Sequence, residues 1–106
     1  SARMSAPASL TRAKAVIEAL SGHSYHGLRL QQVAEAVGQI SSTTLRDLKA
    51  LEAIGWAERA PDSEGCWRLS PRLVQLALAH QHEIERLNRR MDDFTNRYSR
   101  LPAAAH

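Results

Sequence analysis

Apolar positions recur at helical spacing from Leu10 through Ala13, Val16, Ile17 and Leu20, and the pattern stops at Ser21-Gly22. This predicts a first helix with Ser9 as its N-cap. Leu28-Arg29-Leu30 is long enough only to pair at the edge of a small sheet. Gln31 to Val37 reads as a second helix with Val33, Ala34 and Val37 inward, and Gly38 suits the left-handed residue past its end. Ser41 or Ser42 caps a third helix that runs to about Ile54, with Leu45, Leu48, Leu51 and Ile54 apolar and Gly55 closing it. Trp56–Arg59 and Cys66–Leu69 form two strands around Ala60–Gly65, a stretch rich in turn formers. Ser70 as N-cap and Pro71 at the first helical position open a fourth helix that continues to Leu101-Pro102. Residues 1–8 read as an arm and residues 102–106 as a tail.

The fourth helix has the most regular pattern. Leu73, Ala77, His80, Ile84, Leu87, Met91, Phe94, Tyr98 and Leu101 alternate at spacings of four and three, a heptad seam. Val74, Leu76 and Leu78 are expected to pack on the preceding domain. The rest of the stripe is too long for a small domain to cover, so it needs another helix. The same helix of a second copy is the simplest partner, and docking on a different protein is the rival. The dimerisation set is then His80, Ile84, Leu87, Met91, Phe94 and Tyr98. His80 is a polar interruption of the seam, and arginines and acids alternate on the outer face.

Composition narrows the class. A chain of 106 residues implies one globular domain with a modest core, here poor in aromatics at 5%. Charged residues at 24% argue against wholesale disorder. The net charge of +3 is weak evidence for a nucleic-acid partner until the basic residues share a face. One cysteine, Cys66, forms no disulfide within the chain, which fits a reducing compartment. No apolar run approaches a membrane span and no signal peptide is visible, so the cytoplasm is the expected location.

The order helix, short strand, helix, turn, helix, hairpin is the winged helix-turn-helix plan. The expected class is mainly α with a small β-hairpin. The winged domain takes residues 9–70, and a long dimerisation helix takes residues 71–101. Four segments resemble the IclR-type transcriptional regulators. Ala13–Leu20 looks like their first helix and Leu30–Gly38 like their second. Leu48–Trp56 looks like the end of their recognition helix, and Trp67–Leu73 resembles the wing exit. The resemblance covers about residues 10–78. It implies sequence-specific binding of double-stranded DNA by a homodimeric regulator, with helix 41–54 in the major groove and wing 56–69 on the flanking backbone. The large ligand-binding domain of such regulators has no counterpart here, so no small-molecule ligand is expected. The chain is either a piece of a longer regulator or works without a ligand.

A helix entering the major groove needs small or polar residues at its N-terminal end. Ser41, Ser42, Thr43 and Arg46 meet that need, and Ser42, Arg46 and Lys49 share one face. Arg46 suits bidentate contact with a guanine, worth about 1–3 kcal/mol of discrimination, and Lys49 a phosphate. Relatives place an apolar residue four before Leu48 and a polar one three before, whereas Thr44 and Leu45 stand in the opposite sense. Either the helix is rotated slightly or Leu45 faces the groove, which would add it to the contact set. Arg59 and Arg68 flank the wing for backbone contact, although acidic Asp62 and Glu64 at the tip oppose deep insertion. Gln31 and Gln32 open the second helix, where backbone N–H groups face phosphates. Arg12 and Lys14 read as plain surface.

Trp56 and Trp67 are expected to pair as the small core that fastens the wing. The five histidines and Cys66 make no metal-binding signature, and no cofactor is implied. Without a nucleophile elbow, phosphate loop or carboxylate pair, an enzyme is not expected. A protein-interaction adaptor, of the kind some phages and mobile elements use, is the alternative to a regulator.

Overall fold

The computed structural model describes residues 5–99. Their order is α1 (Ala8–Leu20), β1 (Leu28–Arg29), α2 (Leu30–Val37), α3 (Ser41–Ala53), β2 (Ala57–Arg59), β3 (Cys66–Leu69) and α4 (Pro71–Ser99). The fold is mainly helical, with a three-stranded antiparallel sheet in the order β1-β3-β2. It is a winged helix-turn-helix followed by a long helix. Leu101, the tail at 102–106 and the first four residues of the expected arm lie outside the described residues.

Several boundaries move by one or two residues, each for a local reason. Pro7, not Ser9, stands at the α1 N-cap, and its carbonyl accepts the N–H groups of Leu10 and Thr11 at 3.0 and 3.2 Å. The helix therefore starts at Ala8, inside the expected arm. Leu30 opens α2 because Gln32 Oε1 accepts the Arg29 N–H at 2.8 Å, tying the first turn to its entry strand. Ser41 is the first residue of α3 rather than its cap. Ile40 holds the N-cap position, and its carbonyl accepts the Thr44 N–H.

α2 and α3 end in the same way. Gly38 adopts φ 70°, and N–H groups of Gln39 and Gly38 return to the carbonyls of Ala34 and Glu35. Gly55 adopts φ 85°, and N–H groups of Trp56 and Gly55 return to Leu51 and Glu52. Both are Schellman closures, which an L side chain enters only with strain.

Val16 and Leu20 of α1, Val33 of α2, Leu48 and Leu51 of α3, Ala57 and Trp67 form the buried core. Leu28, Leu30, Val37, Leu45 and Leu69 pack around it. Leu10 and Ile54, both part of the apolar pattern, are 62% exposed. Each lies within three residues of a helix end, past the area its neighbours can cover. The expected tryptophan pair does not form. Trp67 is buried on β3, but Trp56 precedes β2 and is partly exposed. The residue opposite Trp67 is Arg59, whose guanidinium carbon lies 4.6 Å from the ring centroid.

Ser70 joins the end of α3 to the start of α4. Its Oγ donates to the Gly55 carbonyl and accepts the Leu73 N–H, and its own N–H donates to Trp56. The chain divides into two units at Val74–Gln75. In the second, α4 runs as a single helix, and the whole of α4 counts 29 residues, about 44 Å of rise. Leu73 is half-buried, but Val74, Leu76 and Leu78, expected to be covered, are 40–48% exposed. No described helix is long and apolar enough to cross a membrane.

Candidate nucleic-acid interface

α3 separates its faces sharply. Thr44, Leu48 and Leu51 are buried, and two positions back Ser42, Arg46 and Lys49 are exposed. A two-residue offset turns a helix by about 200°, so the two sets oppose each other. Ser41 extends the exposed set at the N-terminal end, and Thr43 is half-buried beside it.

The Thr44-Leu45 inversion leaves the orientation of α3 unchanged: position 44, four before Leu48, stays in the core although it holds a threonine. Thr44 is completely buried, and its hydroxyl donates to the Ile40 carbonyl at 3.0 Å. The bond lets a hydroxyl occupy a core position without being orphaned. Leu45 is half-buried and packs against the core. Neither a rotated helix nor a fully exposed leucine is seen: Thr44 takes the core position and Leu45 lies half-buried at its edge.

Charge on α3 is sorted by a distant partner. Asp47, half-buried, accepts from Arg12 of α1 through both carboxylate oxygens, Nε to Oδ2 at 2.8 Å and Nη2 to Oδ1 at 3.4 Å. This forked geometry is the strong form of the pair. The hydrogen bond and charge of Asp47 raise the Arg12 pKa above its ordinary value, against desolvation. Arg12 is therefore not plain surface. Among the described residues, Arg46 and Lys49 carry no ion pair, so the Ser42–Arg46–Lys49 face is positive, with Asp47 neutralised on one flank and exposed Glu52 on the other.

The two wing arginines have different fates. Arg68 sits directly across from Glu58, with Nε and Nη2 at 2.7 and 2.6 Å from Oε2, and Nη1 donates to the Tyr25 carbonyl. Its charge is matched within the hairpin. Arg59 is exposed, lies over Trp67 and has no acidic partner among the described residues. The tip carries exposed Asp62 and Glu64.

Gln31 and Gln32 are exposed at the start of α2. The carbonyl of Gln32 is committed to Arg29, leaving its amide hydrogens to donate. The Arg12–Asp47 pair has no signal in the sequence, since its members stand 35 residues apart. The Glu58–Arg68 pair has one: the two residues face each other in the hairpin register. The seam residues Ile84, Leu87, Met91, Phe94 and Tyr98 are 38–76% exposed, and His80 is exposed with them.

Residues 9–61 match the model of the IclR helix-turn-helix domain. The chain is similar to an IclR transcriptional regulator from Alicyclobacillus acidocaldarius. The identity is 30% over 68% of this chain and 28% of that one, with a TM-score of 0.60. It is similar in the same degree to HmgR of Pseudomonas aeruginosa, 30% identical over 67% of this chain and 28% of that one, TM-score 0.59. It thus spans little more than a quarter of the length of either. No curated protein matches the chain.

Proposed function

The chain belongs to the IclR helix-turn-helix family, and from that premise we propose that it binds double-stranded DNA as a transcriptional regulator rather than acting as a catalyst. Residues 9–70 are the DNA-binding domain and α4 is the dimerisation helix. α3 lies in the major groove, where Ser41, Ser42 and Thr43 permit close approach and Arg46 reads a base edge. Lys49 and Arg59 neutralise phosphates, and the donors of Gln31 and Gln32 fix the start of α2 against the backbone. The observation that carries this reading is the polar, positively charged face of α3 opposite its buried stripe, with Asp47 neutralised by Arg12.

Two copies associate through α4, presenting two α3 helices to a site of two half-sites. The exposed seam from Ile84 to Tyr98 supports this: five large apolar side chains on one face need cover. The test is titration of the full chain against a random-sequence duplex pool at low and moderate salt, followed by selection of bound sequences. Binding that weakens with salt, and selected sites with two-fold symmetry, are expected. Replacing Arg46 and Lys49 together by alanine should lower the affinity by at least tenfold. A wild-type chain that binds no duplex even at low salt overturns the proposal, and capture of another protein in its place favours an adaptor.

A further inference from the structure

The seam of α4 has flanks that differ from each other. With Ala77, Ile84, Met91 and Tyr98 at heptad position a, the d positions are Leu73, His80, Leu87 and Phe94. The e flank then carries Gln81, Asn88 and Thr95, all uncharged. The g flank carries Glu83, Arg90 and Arg97. Glu83, Arg90 and Arg97 are exposed and have no ion-pair partner among the described residues. Flanking charges set orientation and register in paired helices.

Parallel pairing sets each g position against the e position of the next heptad. Glu83 would meet Asn88 and Arg90 would meet Thr95, so no opposite charges pair. Antiparallel pairing sets g against g and e against e. One register then places Glu83 of each chain against Arg90 of the other, twice by symmetry. A shift of one heptad in one direction brings Arg90 onto Arg90 while setting Glu83 against Arg97, and it leaves Leu73 and Ala77 without partners in the described seam; in the other direction Glu83 meets Glu83. The favoured register also matches sizes across the seam: Leu73 faces Tyr98, Ala77 faces Phe94, His80 faces Met91 and Ile84 faces Leu87. Ala77, the one small residue of the seam, thus meets the large Phe94, as close packing of that layer requires.

We infer that the α4 face is covered by the same face of a second copy running antiparallel, with Ile84 against Leu87 and two Glu83–Arg90 pairs between the chains. The inference rests on the self-association proposed above and adds its direction and register. It pairs the described seam from Leu73 to Tyr98 end to end. The two-fold axis falls between Glu85 and Arg86, so the two Pro71 positions stand about 44 Å apart along the rod. Parallel pairing would bring them within about 10 Å.

The test uses full-length Glu83→Arg and Arg90→Glu variants, each alone and mixed one to one, in sedimentation at low ionic strength. Each variant alone places two like-charge pairs in the contact and should dissociate about tenfold more readily than wild type. In the mixture, one variant supplies the arginine and the other the glutamate of both pairs, so a heterodimer of wild-type affinity should form. Spin labels on Gln75→Cys, with Cys66→Ser, should lie about 30 Å or more apart. A wild-type monomer overturns self-association and this inference with it. A wild-type dimer whose two charge variants associate normally, or whose labels lie well under about 30 Å apart, overturns the antiparallel register alone.

Discussion

Arg12 and Asp47 lie on different helices, and their pairing changes what α3 offers to a phosphate. An unpaired Asp47 would set a negative charge next to Arg46. Arg12→Ala should therefore weaken duplex binding severalfold, and adding Asp47→Asn should restore much of it, read by fluorescence anisotropy at low salt. A purely structural role for the pair predicts no such recovery. The raised Arg12 pKa gives the pH dependence. The stability it contributes is fully present below the ordinary guanidinium value and is lost only as pH rises above it, so no change arises from Arg12 near neutrality. A second contrast separates two glycines with the same left-handed backbone. A Cβ on Gly27 would come within 2.3 Å of the Trp67 carbonyl oxygen, the backbone of a core strand, whereas one on Gly38 would meet nothing within 4 Å. Gly38→Ala should cost about 1–2 kcal/mol from φ alone. Gly27→Ala should cost clearly more, since β1 and β3 must separate. Denaturant midpoints of the two variants make the comparison.

The wing shows how an element divides its charges between holding itself and meeting a partner. Arg68 is fixed to Glu58 and to the Tyr25 carbonyl, so it ties β3 to β2 and to the loop before β1. Arg59 opposes Trp67 and keeps its charge available. Arg68→Ala should lower the melting temperature and leave the salt dependence of DNA binding close to wild type. Arg59→Ala should do the reverse, reducing the logarithmic salt slope by about 0.9 if it neutralises one phosphate. The helix-turn-helix itself relies on the doubled Schellman closures at Gly38 and Gly55, which aim α3 and then release the chain into the sheet.

For the whole molecule, the exposed α4 stripe makes behaviour depend on concentration. Phe94→Glu should leave the helical circular dichroism of the winged domain intact and abolish self-association in sedimentation. DNA affinity for a two-half-site duplex should then fall toward that for a single half-site, because the second contact is no longer intramolecular. A Phe94→Glu chain that still dimerises would place the contact elsewhere.

The order of elements, the glycine closures of α2 and α3 and the seam of α4 were legible along the chain. Each depends on backbone preference or on side-chain period within a few residues, and those are local properties. The starts of the first three helices were legible only to within one or two residues, because Pro7 and Gln32 compete with the nearest serine or strand for the same orphan N–H groups. The roles of Thr44, Leu45, Arg12, Arg68 and Trp56 were decided by tertiary structure. Thr44 is buried because one hydrogen bond satisfies it there, and Leu45 is half-buried because the core reaches to its side of α3. Arg12 and Arg68 are committed because acids 35 and 10 residues away fold into reach. A pattern of polar and apolar positions identifies which face is wet; it does not record which charge waits across the gap.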